Sequence, residues 1–129
     1  MVLCKYCDKR ITTWHISCTK CYIIHCENCL DKKTKELIKL LNDCRDTIVD
    51  KNSDLQFYLD IRNNGFENMK KEEIDETNHL IVYNKGVIHE LKQIMFRYLM
   101  ILNPRIQLTT IDYEFENAYQ YYLCYNCKT

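Results

Sequence analysis

The stretch that decides the fold runs from residue 4 to residue 29 and reads CKYCDKRITTWHISCTKCYIIHCENC. It contains three Cys-x-x-Cys pairs, and a fourth pair lies within YLCYNC at residues 122–127. Two intervening residues let a tight turn direct both thiolates at one metal ion, and four thiolates complete a closed tetrahedral zinc site. Four pairs therefore predict two structural zinc ions. The eight predicted ligands are Cys4, Cys7, Cys18, Cys21, Cys26, Cys29, Cys124 and Cys127.

The short link between the second and third pairs indicates which pairs share a metal. Only residues 22–25 separate these pairs, which is short for two turns that converge on one ion from opposite sides. We therefore expect an interleaved scheme, in which the first pair joins the third and the second joins the fourth. A sequential scheme is the alternative. His15 and His25 are alternative ligands, because neutral imidazole also suits zinc, although a surface or supporting role is the preferred interpretation of both.

Composition and charge limit the classes of function. The chain has 129 residues, of which 47% are hydrophobic and 28% charged, as in globular proteins. Its 18 basic residues balance 18 acidic ones, so no overall field draws it to nucleic acid or to an anionic membrane. The abundance of Ile, Asn, Lys and Tyr is a bias of A/T-rich genomes, such as those of some protists and large DNA viruses.

The sequence shows no signal-peptide pattern at its N-terminus and no apolar run of about 18 residues. We therefore expect no membrane span and an intracellular location, in the cytoplasm or the nucleus. Cysteines in such a reducing compartment bind metal more often than they form disulfides. The ninth cysteine, Cys44, stands alone within an apolar stripe, and we interpret it as a core thiol.

Between the third and fourth pairs the pattern becomes helical. Apolar residues recur at three- and four-residue steps over 33–50, where Asp31 or Thr34 caps the start. A second helix is predicted from an N-cap at Ser53 to Asn64-Gly65. Residues 67–79 are predicted to form a solvated helix or a loop, and 84–86 a turn or helix break.

The most apolar segment is predicted to be a helix at 87–102 that stops at Asn103-Pro104, followed by a weak helix at 110–123. We thus expect a mainly α fold, a helical bundle with a small two-zinc finger formed by the N-terminal segment and the C-terminal Cys pair. The expected division is a finger module of residues 1–32 plus 120–129 and a helical domain of residues 33–119. The aromatic residues of 113–122 and the stripe of 87–102 are interpreted as core, with a partner-docking face as the alternative.

The run C4-x2-C7-x10-C18-x2-C21-x4-C26-x2-C29, closed by C124-x2-C127, resembles the cross-brace (treble-clef) zinc fingers of the FYVE, PHD and RING group. The spacing is closest to FYVE and PHD fingers, and Tyr122 stands where a PHD finger usually carries an aromatic residue. The resemblance covers residues 4–29 and 122–127, and it implies that the eight cysteines are zinc ligands.

Four features depart from those families. PHD fingers typically have His where Cys26 stands. Residues 30–123 precede the last pair, where the families have a much shorter link. The basic segment with which FYVE domains bind a phosphoinositide is absent, because residues 14–18 read WHISC. The RING step Cys-x-His is incomplete, since Thr13 stands where its cysteine would be. The resemblance therefore predicts the ligands better than it predicts the function.

No catalytic set is apparent, so the expected function is that of a zinc-stabilised protein-interaction adaptor or regulator without intrinsic catalysis. One alternative, implied by the resemblance, is a RING-like ubiquitin-ligase component. Another is a transcription-associated or nucleic-acid-binding zinc protein, because seven Lys and Arg stand against three acidic residues in 1–35. Oligomeric state and partner identity stay open. The predicted partner-contacting residues lie between the cysteine pairs and are Trp14, Ile16, Ile23 and Ile24.

Overall fold

The protein is described by a computed structural model, which covers residues 3–11 and 16–128. Two long antiparallel helices form a hairpin, and a cysteine-rich base lies at the open end of that hairpin. The predicted mainly α fold is therefore confirmed. The elements in chain order are β1 (Ile16–Ser17), β2 (Ile24–His25), α1 (Lys32–Asn63), α2 (Lys71–Leu102) and α3 (Tyr125–Lys128).

Helix α1 is one continuous helix where two were predicted. It starts at the predicted cap, Asp31, whose carboxylate accepts hydrogen bonds from the Thr34 N–H at 3.0 Å and from its hydroxyl at 2.6 Å. Ser53 does not begin a new helix, because an exposed serine inside a helix costs only a few tenths of a kcal/mol. The helix ends as predicted at Asn64 and Gly65, with Gly65 in the left-handed region at φ 79°.

Helix α2 passes through residues 84–86, so the predicted turn or break there is wrong. Gly86 lowers helix stability by about 1 kcal/mol relative to alanine. Burial of Ile81 and Ile88 on both sides of it outweighs that cost. Helix α2 ends at Leu102, immediately before Asn103 and Pro104, as predicted.

The predicted weak helix at 110–123 is also wrong. Within that region the described chain forms 3-10 turns, one at Leu108–Thr110 and one at Ala118–Tyr121. Side chains of α1 bind the backbone groups that helical bonds would otherwise satisfy. Asn42 accepts a hydrogen bond from the Ala118 N–H at 2.9 Å, and Arg45 donates one to the Phe115 carbonyl at 3.2 Å. The segment is therefore held against α1 in an irregular conformation.

A single buried cluster joins the cysteine-rich base to the helical hairpin. Cys44 packs against it, and burial raises the pKa of this thiol, in agreement with a core role. The division into a finger module and a helical domain of 33–119 stays a prediction. In the described ranges we find no helix of the length and apolarity that crossing a membrane requires. The cluster contains Ile16, Cys18, Leu30, Ile38, Leu41, Ile48, Met95, Leu99, Leu102, Phe115, Ala118, Tyr122, Leu123 and Cys124.

Candidate metal centre

The first two cysteine pairs form knuckles of the same geometry. In the first, the Asp8 N–H donates to the Cys4 carbonyl at 2.9 Å and the Cys4 N–H donates to the Lys9 carbonyl at 3.0 Å. In the second, the Tyr22 N–H likewise donates to the Cys18 carbonyl at 3.0 Å. Asp8 and Tyr22 each follow the second cysteine of a pair, and both adopt left-handed backbone, at φ 58° and 61°. This local conformation turns each pair of thiols toward one point.

The other two pairs lie on single helical turns. The N–H of Cys29 donates to the Cys26 carbonyl at 3.1 Å within a 3-10 turn, Glu27–Cys29. The N–H of Cys127 donates to the Cys124 carbonyl at the same distance, at the start of α3. A cysteine pair on a turn presents both sulfurs on one side, so each turn supplies half of a four-sulfur site.

The fold brings these halves together in two groups of four. In each group the four sulfurs lie within 4.8 Å of one another, and each group combines one knuckle with one helical turn. The predicted interleaved grouping is therefore the one observed, and the sequential alternative is wrong. The first cluster is Cys4, Cys7, Cys26 and Cys29, and the second cluster is Cys18, Cys21, Cys124 and Cys127.

The spacing of the sulfurs fits a metal ion. Sulfur–sulfur distances are 3.6 Å for Cys4–Cys29, 3.4 Å for Cys26–Cys29 and 3.6 Å for Cys21–Cys124. A tetrahedral site with zinc–sulfur bonds of about 2.3 Å has edges of about 3.8 Å. A disulfide would need about 2.05 Å, and every cysteine is free. Both clusters are therefore consistent with one zinc ion each, as the sequence predicts.

The pKa values in the first cluster show how strongly its sulfurs interact. Burial raises the pKa of the Cys4 thiol, but hydrogen bonds from the backbone N–H groups of Cys26 and Cys7 outweigh burial and lower it to about 6. Cys29 lies beside the sulfurs of Cys26 and Cys4, which raise its pKa to about 12. Without a cation, the four thiols cannot all ionise near neutral pH.

The second cluster also has one thiol whose pKa is lowered and one whose pKa is raised. Burial raises the pKa of Cys18, and the backbone N–H groups of Cys124 and Cys21 more than offset it, so that it falls to about 6. The N–H of Cys124 lies 3.4 Å from the Cys18 sulfur. Burial and then the sulfur of Cys124 raise the pKa of Cys127 to about 12. A divalent cation would remove the repulsion that keeps the last proton on each cluster.

Of the two predicted alternative ligands, only His25 lies in the described part of the chain, and it joins neither cluster. His15 lies outside the described residues. His25 is buried, with 1% of its surface exposed, and neither ring nitrogen has a hydrogen-bond partner among the described residues. Its ring packs against Tyr6 at 4.4 Å and meets Tyr122 edge-on at 5.4 Å between centroids. Burial lowers its pKa, so the imidazole is neutral at pH 7.

A groove of about 270 Å³ opens beside His25, between segments that carry ligands of both clusters. We call it the tyrosine groove, because Tyr6, Tyr122 and Tyr125 line it together with Asp31 and Lys128. Tyr6 and Tyr125 are 54% and 77% exposed. Burial raises the pKa of Tyr6 and of Tyr122, so both phenols keep their protons at neutral pH.

Where the structure describes them, the predicted partner-contacting residues are less exposed than Tyr6 and Tyr125. Ile16 is buried in the core at 1% exposure, which corrects its assignment to a contact surface. Ile23 and Ile24 are partly buried, and Trp14 lies outside the described residues. Sequence reasoning did not select Tyr6 and Tyr125. The available signal was that each tyrosine lies inside a Cys-x-x-Cys pair, where a side chain has little room to turn inward.

Comparisons of the chain with protein-family models, with curated proteins and with solved structures found no match. The assignment of the clusters therefore rests on ligand type, spacing and geometry.

Proposed function

We propose that this chain is a zinc-stabilised protein-interaction module, an adaptor or regulator without catalysis of its own, built on a cross-brace finger of the FYVE, PHD and RING type. The interleaved order of the cysteine pairs supports the comparison with that group. Four thiolates fill the coordination of each ion and leave no position open for a substrate. Zinc then supplies structural linkage, holding each knuckle to its helical turn.

The observation that carries the proposal is the exposure of aromatic side chains in the tyrosine groove. Exposed aromatic side chains that are grouped around one groove, unlike singly exposed ones, are typical of interaction sites, and tyrosine is enriched at the energetic centres of protein interfaces. The floor of the groove is held in place, since Tyr122 is buried and the Tyr122 carbonyl accepts hydrogen bonds from both the N–H and the hydroxyl of Thr19. A prepared floor with exposed aromatic walls suits a short segment of a partner protein.

Charge around the groove favours a cationic side chain in that segment. Asp31 lines the groove, and each loaded cluster carries two formal negative charges, because four thiolates surround one divalent ion. The aromatic faces of Tyr6 and Tyr125 add an attraction for cations. Lys128 is the cation among the lining residues, and it also lowers the pKa of Asp31, after the larger effect of the Thr34 hydroxyl.

The test is affinity capture with the zinc-loaded chain. We expect the wild type to retain one protein partner at a stoichiometric ratio, and the double variant Tyr6→Ala/Tyr125→Ala to lose it by at least about tenfold. The variant Tyr22→Ala is the matched control, because Tyr22 is 74% exposed on the same finger but does not line the groove. Equal capture by all three proteins, with equal zinc content, would remove the groove as the binding site. Trp14→Ala tests the residue that the sequence selected.

The second candidate function is a ubiquitin-ligase component, which the interleaved grouping of the cysteines favours. Such a finger acts by holding a charged conjugating enzyme and needs no catalytic side chain of its own. An autoubiquitination assay with a panel of conjugating enzymes tests it directly. No stimulation of any of them by the zinc-loaded chain would dismiss this function and leave the adaptor.

A nucleic-acid partner is the third candidate, supported by the exposure of four basic residues on the finger. Binding of that kind weakens steeply with salt, because bound cationic side chains release counterions from the phosphates. Fluorescence anisotropy with labelled RNA and DNA, between low and physiological salt, measures this slope. Binding that does not change with salt would exclude this candidate. The four residues are Lys5, Lys9, Arg10 and Lys20.

A further inference from the structure

The cysteines of the two clusters differ in their contact with solvent. In the second cluster Cys18 and Cys124 are 0% exposed and Cys127 is partly buried. Cys21 completes that cluster, and it is the one exposed cysteine of the chain, all nine of which lie in described residues. In the first cluster Cys4 is buried and the other three ligands are partly buried. A small solute therefore reaches one ligand of the second cluster more readily than any ligand of the first.

The exposure of Cys21 follows from the position of its knuckle. Residues 19–22 are all exposed, and Tyr22 after Cys21 is 74% exposed. The knuckle is anchored on its inner side instead, where the Cys18 N–H donates to the Ile23 carbonyl at 3.0 Å. The matching position of the first knuckle is Cys7, which is partly buried. The two knuckles thus share a backbone conformation but differ in the accessibility of their second cysteine.

A buried sulfur lies directly behind this exposed one. The sulfur atoms of Cys21 and Cys124 are 3.6 Å apart. The segments that carry them are held together by Thr19, whose N–H and hydroxyl both donate to the Tyr122 carbonyl, at 3.0 and 3.1 Å. These hydrogen bonds do not involve the metal site, so they keep the two sulfurs close when an ion leaves. A modest approach then brings the sulfurs to the 2.05 Å of a disulfide.

We propose that Cys21 is a site of oxidation by peroxide and that Cys124 is its disulfide partner. The Cys21 thiolate attacks one oxygen of hydrogen peroxide, the O–O bond breaks, and a sulfenic acid and hydroxide form. The Cys124 thiolate then attacks the Cys21 sulfur, an S–S bond forms, the S–O bond breaks, and a second hydroxide leaves. The two sulfurs lose two electrons, which the peroxide gains, and two protons from the solvent convert the hydroxides to water.

This oxidation changes the metal content of the chain without opening its fold. A disulfide withdraws two of the four ligands of the second cluster, and Cys18 and Cys127 alone do not complete a tetrahedral zinc site. The zinc ion is therefore released. The new bond joins the same two segments, 103 residues apart, that the ion joined before. The oxidised chain keeps one zinc ion in the first cluster and a covalent closure in place of the second. The inference is independent of the tyrosine groove.

The first test treats the zinc-loaded full chain with a small molar excess of hydrogen peroxide. Native mass spectrometry counts zinc, and tandem mass spectrometry of an alkylated digest locates the disulfide. We expect the loss of one zinc ion, a link between Cys21 and Cys124, and unmodified ligands in the first cluster. A thiol reductant with added zinc should restore two ions. Simultaneous release of both ions, earlier release from the first cluster, or a disulfide that lacks Cys21 would overturn the proposal.

Electrophoresis without reductant tests the identity of the partner. A link between Cys21 and Cys124 encloses most of the chain in a loop, so the denatured oxidised protein should migrate faster than the same protein after reduction. A link between Cys18 and Cys21 would enclose only the knuckle and leave the mobility unchanged. Unchanged mobility would therefore overturn the assignment of Cys124 as the partner.

Histidine variants separate the exposure of Cys21 from a general sensitivity of zinc thiolates to peroxide. Cys21→His keeps a zinc ligand, because imidazole also binds zinc, but removes the exposed sulfur. We expect peroxide to release zinc from this variant at least about tenfold more slowly than from the wild type. The matched control is Cys7→His, which makes the same change in the first knuckle and should release zinc from the second cluster at the wild-type rate.

The zinc content of each variant is measured before peroxide is added. Release from a fully loaded Cys21→His protein at the wild-type rate would overturn the role of Cys21. If that variant binds only one ion, the disulfide map and the mobility of the oxidised wild type decide the question.

Discussion

The two cysteine clusters are built from the same parts but enclose very different lengths of chain. Each combines a knuckle, with a left-handed residue after its second cysteine, and a single helical turn. In the first cluster the contacting sulfurs of Cys7 and Cys26 are 19 residues apart. In the second, those of Cys21 and Cys124 are 103 residues apart. The same chemistry thus organises a local segment at one site and closes the whole fold at the other.

This difference in enclosed length has an energetic consequence. Closing a long loop restricts the unfolded chain more than closing a short one. A chain-entropy model taken from disulfides gives about 4.7 kcal/mol for 100 residues and about 3 kcal/mol for 15. The second cluster should therefore matter more for global stability, and the experiments below are ordered by the size of that expected effect.

The largest effect is expected for Cys124→Ser/Cys127→Ser. This change removes two ligands of the second cluster, so zinc content should fall from two ions to one and the free energy of unfolding by about 4–5 kcal/mol. Native mass spectrometry counts the metal, and denaturant unfolding followed by circular dichroism gives the stability. A variant that keeps two zinc ions, or unfolds like the wild type, would show that the last pair does not close a site.

A smaller loss is expected for Cys4→Ser/Cys7→Ser in the first cluster. Zinc content should again fall by one ion, but the free energy of unfolding should fall by about 3 kcal/mol, because the enclosed loop is short. The control is Cys44→Ser, which lies outside both clusters and should keep two zinc ions. Equal destabilisation by the two double variants, in the same unfolding assay, would refute the argument from loop length.

Lowering the pH should weaken zinc binding at both clusters to a similar extent. The pKa of Cys29 and that of Cys127 are raised to about 12 in the absence of metal, so each cluster carries a proton at pH 7 that zinc must displace. The apparent affinity should therefore fall by about tenfold or more per pH unit as the pH decreases. Calorimetric titration in two buffers of different ionisation enthalpy counts the released protons. Proton release near zero would contradict the prediction.

The smallest effect is expected for Asp31→Ala, two residues beyond the last ligand of the first cluster. Loss of the helix cap should lower the free energy of unfolding by about 1 kcal/mol while both zinc ions stay bound. Asp31→Asn, which keeps a capping side chain, should recover most of the loss. Release of zinc from the Asp31→Ala protein, measured with a chelating dye, would indicate that the cap and the first cluster act as one unit.

The sequence predicts the cluster composition correctly because ligand spacing is a local property. A four-residue link is short for two turns that converge on one ion, and that restriction already favours the interleaved grouping. Helix ends are predicted where the signal is local as well, as at Asp31 and Gly65. The same reasoning fails at Gly86, because burial of its neighbours against the opposite helix outweighs a weak local preference, and at Ser53, because an exposed serine costs a helix little.

The proposed contact surface could not be predicted from the residues alone. Whether Ile16 faces the core or the solvent depends on how the finger packs on α1, and that contact involves residues far apart in the sequence. The same applies to Tyr6 and Tyr125, whose grouping around one groove follows from closure of the second cluster.

The distance along the chain between Cys21 and Cys124 also sets an order in time. Ribosomes add about 5–20 residues per second, so Cys124 is made about 5–20 s after Cys21. During that interval all four ligands of the first cluster already exist, while Cys18 and Cys21 have no partner thiols. The first site can fill during synthesis, and the second must wait as an exposed pair of thiols. Zinc shortage or oxidative stress would therefore impair assembly of the second site before that of the first.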